Sequence, residues 1–278
     1  MAITDIHGDR FRAASAKLLI PGMGTELVAP ILAMLVQFAR PRRVLEVGMG
    51  YTTPFLAAAL ADVERQVRVE AEALVGKTKA YLDDEVALDE RWVNAEPALL
   101  APAFYRDPYR ATLVAVDDLS IEESSAPAVQ GVLEELDLLD RVTIVNADLH
   151  DCRELLPEDF APIDLAWVDA WECLYFFDHF WDLINPHGGL VVMHYLMTYP
   201  EGETILDYLA KVQRMRPGEL EILNLLEPHK LAQNSLTVLR RTTAGKPRSY
   251  SEPGGDLAYE EIREDARAVS SRRSPSAL

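Results

Sequence analysis

Three features are scarce in this sequence of 278 residues: long apolar runs, cysteine and basic charge. No stretch approaches the roughly 20 uninterrupted apolar residues that a membrane-spanning helix needs. The N-terminus, MAITDIHGDRFRAA, lacks the apolar core of a secretory signal. The two cysteines, Cys152 and Cys173, are too few for a disulfide framework or a cysteine metal cluster. We therefore expect no membrane partner and no metal, and a reducing cytoplasm as the location.

Basic residues are scarce as well. The chain has 27 Lys and Arg residues against 45 Asp and Glu residues, which gives a net charge of −18 at pH 7. A surface this negative repels the phosphate backbone of nucleic acids. The composition therefore excludes a nucleic-acid duplex as an expected partner and favours a small molecule. With 49% hydrophobic residues, the chain has enough apolar material for a globular core.

The apolar pattern predicts helices that alternate with short strands. Residues 25–39 carry apolar side chains at helical spacing, at Leu27, Ile31, Leu35 and Phe38. Short buried strands separated by helical stretches are typical of a parallel sheet covered by helices on both faces. The predicted fold is α/β, a doubly wound, mostly parallel, seven-stranded Rossmann-like sheet with a helical insertion after the first βα unit. The strands are expected at 44–47, 111–118, 141–148, 163–170 and 188–195, with a closing pair at 220–229 and 235–242.

The same pattern divides the chain into four parts. Residues 1–40 are predicted to form an N-terminal helical segment, 41–243 the Rossmann-like domain, and 244–278 a mostly disordered tail. Within the domain, residues 62–111 are far longer than the usual two-to-six-residue connection. We interpret them as a long helix that serves as a lid or a dimer arm.

The strongest local signal is a strand that ends in glycines and turns into a helix, VLEVGMGYTT at 44–53. Such turns bind nucleotides at the carboxyl edge of open sheets. A dinucleotide loop would have a third glycine, where this sequence has Thr53. Glu46 places a carboxylate beside the loop, which would repel a pyrophosphate but suits a cationic amino-acid end. The loop therefore favours S-adenosylmethionine (SAM) over a dinucleotide.

From about Thr25 to Thr242, these motifs make the sequence resemble the class I SAM-dependent methyltransferases. The resemblance implies that the loop after strand one holds the methionine part of SAM, that an acidic residue closing strand two binds the ribose, and that an Asp after strand three meets the adenine. Residues 186–190, PHGGL, match the turn of that family into strand five. The implied SAM-binding residues are Glu46, Gly48, Gly50, Tyr51, Thr52, Asp117, Asp118 and Asp148. The 71 residues from Glu46 to Asp117 depart from the usual spacing of about 20.

Candidate groups for the chemistry follow strands four and five. Asp169 ends a buried strand beside the expected crevice, as a substrate anchor or a metal ligand. The metal-dependent catechol-type relatives have an Asp-Asn pair after the next strand, where this sequence has His194 and Tyr195, so we expect no metal. His194 is then a candidate general base, with a structural role as the alternative. Tyr175 is the third catalytic candidate.

Aromatic residues are expected to line the acceptor side of the site. Trp171, Tyr195 and Tyr105 are the predicted substrate-binding residues. The loop Pro102–Tyr109 and Tyr51 are expected to close on the sulfonium, because aromatic faces attract cations. Residues 20–26 are expected to fold over the same site.

Taken together, these features predict a SAM-dependent methyltransferase acting on a small molecule, such as an amino-acid-like compound or a secondary metabolite. A SAM-consuming cyclase or lyase of the same fold, which would release methylthioadenosine, is the alternative. A non-catalytic SAM-binding scaffold and a nicotinamide oxidoreductase are further hypotheses. A homodimer is the expected assembly.

Overall fold

The computed structural model describes residues 5–82, 89–122, 124–230 and 233–243, and in these residues seven strands form one sheet. The strands are β1 (Arg43–Val47), β2 (Thr112–Asp117), β3 (Val142–Asn146), β4 (Leu165–Val168), β5 (His187–His194), β6 (Leu220–Glu227) and β7 (Asn234–Thr242). Their order is β3-β2-β1-β4-β5-β7-β6. The first five are parallel, and β7 runs antiparallel between β5 and β6. The predicted fold class is confirmed, including the closing pair.

Helices cover both faces of this sheet. They are α1 (Asp9–Ser15), α2 (Thr25–Ala39), α3 (Thr53–Leu82), α4 (Glu90–Asn94), α5 (Ala126–Glu135), α6 (Cys173–Phe180) and α7 (Pro200–Met215). On one face, α1, α2, α3 and α5 share a core in which Phe11 packs edge-to-face on Phe55. On the other face, α6 and α7 enclose a second core around the stacked rings of Phe176 and Phe180. The predicted tail, 244–278, lies outside the described residues.

The predicted insertion does not begin as a separate element. Helix α3 continues without a break through residue 62 and is 30 residues long. Near its end, the buried ammonium group of Lys77 lies 4.2 Å from the ring centre of Trp92 and donates a hydrogen bond of 2.8 Å to the Pro97 carbonyl. The end of α3 therefore packs against the residues that follow it. The segment runs away from the carboxyl edge of the sheet, where α3 begins.

Helix α2 has the predicted bounds, but its apolar stripe is turned to solvent. Leu27, Ile31 and Phe38 are exposed, and the buried face is formed by residues such as Val28 and Leu32. The helix packs on α3 through these buried side chains.

The sheet brings several chain segments to one edge. Because β1 to β5 are parallel, their carboxyl ends meet there, and each is followed by a turn. Gly48 follows β1, Asp169 follows β4 and Tyr195 follows β5. None of the described helices is both long and apolar enough to cross a membrane.

Candidate active site

A cleft of about 210 Å³ opens at this carboxyl edge. It is lined by Leu18, Ile20, Met23, Thr25, Gly48, Met49, Gly50, Tyr51, Ser125, Asp169, Ala170, Trp171, His194, Tyr195 and Tyr199. The segment before α2 therefore forms one wall, which confirms the prediction that residues 20–26 fold over the site. The glycine turn after β1 forms the opposite wall.

The glycine turn is shaped by two different requirements. Gly48 has a φ of +89°, and a Cβ there would lie 2.8 Å from the Asp169 carbonyl oxygen, so only glycine fits. Gly50 has open space where its side chain would be, because no heavy atom lies within 4 Å of an ideal Cβ. The turn therefore packs against the end of β4 at Gly48 and leaves its backbone open at Gly50.

Asp117 holds this turn in place from the neighbouring strand. Its Oδ2 accepts a hydrogen bond of 2.8 Å from the Met49 backbone N–H, and its Oδ1 accepts one of 2.6 Å from the Ser124 hydroxyl. A carboxylate has about four acceptor positions, so both oxygens can still accept hydrogen bonds from a ligand. Ser125 completes the support by donating to the Met49 carbonyl at 2.6 Å.

Two further predicted acidic residues lie at the same edge. Asp118 accepts hydrogen bonds from the Ser120 backbone and hydroxyl, which lower the pKa of its carboxyl. Asp148 is exposed after β3, and its carboxylate accepts from the Asp151 backbone N–H at 2.9 Å. Both stand at the ends of strands adjacent to the cleft, and their roles toward a ligand stay predictions.

Glu46 lies behind the turn and not in the cleft. It is fully buried, and its Oε1 accepts a hydrogen bond of 2.6 Å from the Thr52 hydroxyl, whereas Oε2 has no partner. Burial raises the pKa of Glu46 to about 8, with further contributions from the negative charges of Asp169 and Asp117. Near pH 7 the group is therefore neutral, so its charge is not the feature that selects a cation.

Thr52 is equally enclosed. Besides donating to Glu46, its hydroxyl accepts a hydrogen bond of 3.1 Å from the indole N–H of Trp167. Thr52 and Glu46 thus link the strand to the start of α3 across the glycine turn. The predicted direct contact of these two side chains with a ligand is corrected to a supporting role, because neither is accessible.

Asp169 is the acidic group that lines the cleft. Its side chain is 21% exposed, and its Oδ1 lies 2.7 Å from Nδ1 of His194. The imidazole is almost completely enclosed, and its Nε2 lies 2.8 Å from Oδ1 of Asn234. His194 lines the cleft with almost no exposed surface, so its hydrogen bond to Asp169 favours a positioning role, and the predicted general base stays a prediction.

Asn234 determines that the Nε2 nitrogen of His194 is a hydrogen-bond donor. Its amide nitrogen donates to the Gly24 carbonyl at 2.8 Å, and its Oδ1 accepts from the Ser235 N–H at 2.8 Å. This fixes the amide orientation, so His194 must donate from Nε2. Its Nδ1 faces a carboxylate oxygen of Asp169, so the ring bridges Asn234 and Asp169. Gly24 has a φ of +72°, and a Cβ there would lie 2.6 Å from the Asn234 amide nitrogen.

Aromatic side chains complete the cleft. Tyr195 stacks on His194 with ring centres 3.5 Å apart, and its hydroxyl donates to the Met23 carbonyl. Burial raises the pKa of Tyr195 to about 12. Trp171 is largely exposed and meets Tyr199 edge-to-face at 5.4 Å. Trp171 and Tyr195 were predicted from the sequence, whereas Tyr199, Ser125 and Asn234 were not.

Tyr175 does not line the cleft. Its ring lies between two histidine rings, 4.0 Å from His150 and 3.8 Å from His179 by ring centres. The predicted catalytic position of Tyr175 is therefore wrong, because helix α6 packs this partly buried side chain against the second core and not in the cleft.

The aromatic loop Pro102–Tyr109 lies at the opposite edge of the sheet. The Tyr105 hydroxyl donates to Glu70 at 2.7 Å, and the buried Tyr109 hydroxyl donates to the Pro41 carbonyl at 2.6 Å, just before β1. The predicted substrate role of Tyr105 is thus wrong, as is the predicted lid. The position of this loop could have been predicted from the sequence. The loop directly precedes β2, and parallel strands all begin at the amino edge of the sheet.

Comparison with known proteins supports the fold. No family model matches the sequence, and no curated protein matches it. Solved structures do match: the O-methyltransferase TomG from Streptomyces achromogenes, involved in tomaymycin synthesis and crystallised with SAM, is 17% identical, with a TM-score of 0.55 over 85% of this chain and 91% of that one.

Two other solved structures agree with this match. An O-methyltransferase from Bacillus cereus in complex with SAH is 15% identical, with a TM-score of 0.54 over 84% of this chain and 89% of that chain. Cofactor-bound Rv0187 from MTB is 14% identical, with a TM-score of 0.53 over 83% and 86%. This chain has the class I methyltransferase fold. The resemblance stated from the motifs is therefore confirmed at the level of the fold.

The described residues offer no metal centre. Among them, no group of three or more His, Cys, Asp or Glu side chains is placed to hold a metal ion.

Proposed function

We propose that this chain is a SAM-dependent methyltransferase that acts on a small molecule. One observation carries the proposal. The open glycine turn at Gly50 and the carboxylate of Asp169 line the same cleft, at the carboxyl edge of the sheet. In open α/β sheets, ligands bind in that position. The neighbours in fold that were solved with SAM or SAH support the choice of cofactor.

The residues of the cleft suit SAM in backbone access and charge. The bare backbone at Gly50 lets a ligand approach the start of α3 closely. Among the described residues that line the cleft, Asp169 is the one acidic side chain, and the rings of Tyr51 and Tyr195 belong to the same lining. A sulfonium cation is attracted both by a carboxylate and by aromatic faces. Asp117 and Asp118 would hold the ribose hydroxyls, and Asp148 the adenine amine.

The acceptor is proposed to be a compact molecule. Apolar and aromatic side chains, among them Ile20, Met23 and Tyr199, wall the cleft beside Asp169. The net charge of −18 disfavours nucleic acid as an acceptor. A small amine or hydroxyl compound, amino-acid-like or from secondary metabolism, suits both these walls and the negative surroundings. The two cysteines are buried and unpaired, which fits the proposed reducing cytoplasm.

Asp169 is the proposed catalytic residue. When bound, SAM supplies a methyl group that is activated by its positive sulfur. Asp169 would accept a hydrogen bond from the acceptor and take the proton that the acceptor loses. His194 holds the carboxylate at 2.7 Å, so that the carboxylate needs little reorganisation during the transfer. Ile20, Met23 and Trp171 would keep water from the reacting atoms.

Calorimetric titration with SAM tests the cofactor half of this proposal. Gly50→Leu fills the open space in the turn and should weaken SAM binding about tenfold or more, because its side chain enters the cleft. Gly131→Leu is the matched control, since Gly131 on α5 also has no atom within 4 Å of its would-be Cβ and lies outside the cleft. Binding of NAD in place of SAM, or unchanged SAM binding by Gly50→Leu, would contradict the proposal.

A further inference from the structure

Helix α2 presents an apolar ridge to solvent. Its four members are Leu27, Ile31, Met34 and Phe38, of which Met34 is 62% and Phe38 is 89% exposed. From residue 27 to residue 39 the helix has no charged residue, although the chain as a whole carries a net charge of −18. Such a ridge is unusual on a protein with this many acidic residues.

The ridge continues onto the edge of the sheet. Strand β6 is the last strand in the sheet order, and its side chains Leu223 and Leu225, which point to the α2 face of the sheet, are exposed. A groove of about 270 Å³ lies between α2 and β6, with Leu27 and Ile31 on one side and Leu225 on the other. The ridge and the strand therefore form one continuous surface, here named the α2–β6 face.

We infer that the α2–β6 face binds a second copy of this chain, as a two-fold symmetric homodimer. The ridge residues are spaced by four, three and four positions, which is the pattern of a helix that pairs with another helix. A two-fold axis through the middle of the ridge sets Ile31 of one copy against Met34 of the other. Leu27 then lies opposite Phe38, so an apolar side chain meets an apolar side chain along the whole seam.

The size and charge of the face agree with this occupant. The exposed fractions of its six apolar side chains correspond to roughly 600 Å² per copy, a large part of the approximately 800 Å² that each partner buries in a stable interface. This area is at the upper end of the largest patches, about 300–600 Å², that are usual on monomers. Two copies with a net charge of −18 each repel one another, so they associate best through a surface with little charge. The ridge carries no charged residue, and Glu227 at the end of the groove is paired with Lys230.

This assembly would also support the candidate active site. The segment that leads into α2 contains Met23 and Gly24, which accept hydrogen bonds from Tyr195 and Asn234. A partner packed on α2 would hold the cleft wall formed by this segment in place. The interface lies on α2 and β6, whereas the sequence suggested a dimer arm in the segment 62–111.

Sedimentation velocity of the full chain tests the inference. The wild-type chain should sediment as a dimer at micromolar concentrations. Met34→Glu with Phe38→Glu should weaken dimerisation about a hundredfold or more, because four carboxylates would meet in the seam. Val69→Glu with Val75→Glu is the matched control, since both valines are exposed on α3 outside the face. Circular dichroism melting checks that both variants are folded.

Disulfide trapping locates the contact without adding charge. Because Cys152 and Cys173 are buried, cysteines introduced on the surface do not compete with them. A mixture of the Ile31→Cys and Met34→Cys single variants should give more cross-linked dimer than either variant alone. A monomeric wild-type chain, a dimeric Met34→Glu/Phe38→Glu variant, or a mixture without cross-links would each overturn the inference. A monomer would leave the face to a different protein or to the segment after Thr243.

Discussion

Glu46→Gln tests the account of the glycine turn through the pH dependence of stability. Glu46 is fully buried, and its pKa is raised to about 8 from an ordinary value of 4.5. Between these two values, the folded chain keeps a proton that the unfolded chain has lost. The contribution of Glu46 to the free energy of unfolding is therefore most favourable at low pH and declines as the pH rises from about 5 toward 8.

The size of the effect follows from the same two values. A group that is protonated when folded and ionised when unfolded lowers the free energy of unfolding by about 1.4 kcal/mol for each unit of rising pH. Between pH 5.5 and pH 7.5, Glu46 should therefore cost about 2–3 kcal/mol of stability. The glutamine of the variant does not titrate, and its carbonyl can still accept the Thr52 hydroxyl.

Urea unfolding of both proteins at the two pH values measures this difference. The wild-type chain should lose about 2–3 kcal/mol more than Glu46→Gln on going to pH 7.5. Glu134→Gln, at an exposed glutamate on α5, is the control and should change the pH dependence little. If the wild type and Glu46→Gln lose the same stability, Glu46 is ionised in the folded chain and the description of the turn is wrong.

Three shorter predictions concern other residues. Asn234→Leu should cost about 1–3 kcal/mol in urea unfolding, because it leaves Nε2 of His194 buried without an acceptor; an unchanged midpoint would refute that role. Tyr105→Phe should leave SAM affinity unchanged in calorimetry, since Tyr105 contacts Glu70 at the far edge of the sheet. A tenfold loss of SAM affinity would show that Tyr105 belongs to the binding site after all. Asp169→Asn should lower turnover about a hundredfold, as the proton acceptor is lost, and should also weaken SAM binding, because the carboxylate that attracts the sulfonium is lost; full activity in a methyl-transfer assay would exclude Asp169.

The sequence was sufficient for the sheet and for the position of the cleft. Strands β1, β2 and β4, of four to six residues, are each followed directly by a glycine or an acidic residue, and a parallel arrangement brings those ends to one edge of the sheet. Gly48, Gly50 and Asp169 were found for that reason. The helical stripe of α2 was also visible, but periodicity alone does not tell whether a stripe faces the core or the solvent.

Other parts of the site needed the three-dimensional structure. Asn234 is 40 residues from His194, and they meet because β5 and β7 pair in one particular register, with His194 opposite Leu236. No local pattern encodes such a pairing. Tyr105 was misplaced because α3, at about 1.5 Å per residue, carries the chain some 45 Å from the cleft before it returns to β2.

Mass spectrometry of the purified chain incubated with SAM, first alone and then with a pool of small amine and hydroxyl acceptors, tests the central claim most directly. We predict that SAM alone is bound and stays intact. With the correct acceptor, S-adenosylhomocysteine and a methylated product should appear in equal amounts. Methylthioadenosine released from SAM alone, above a boiled control, would show that SAM is itself the substrate and would contradict the proposed methyl transfer.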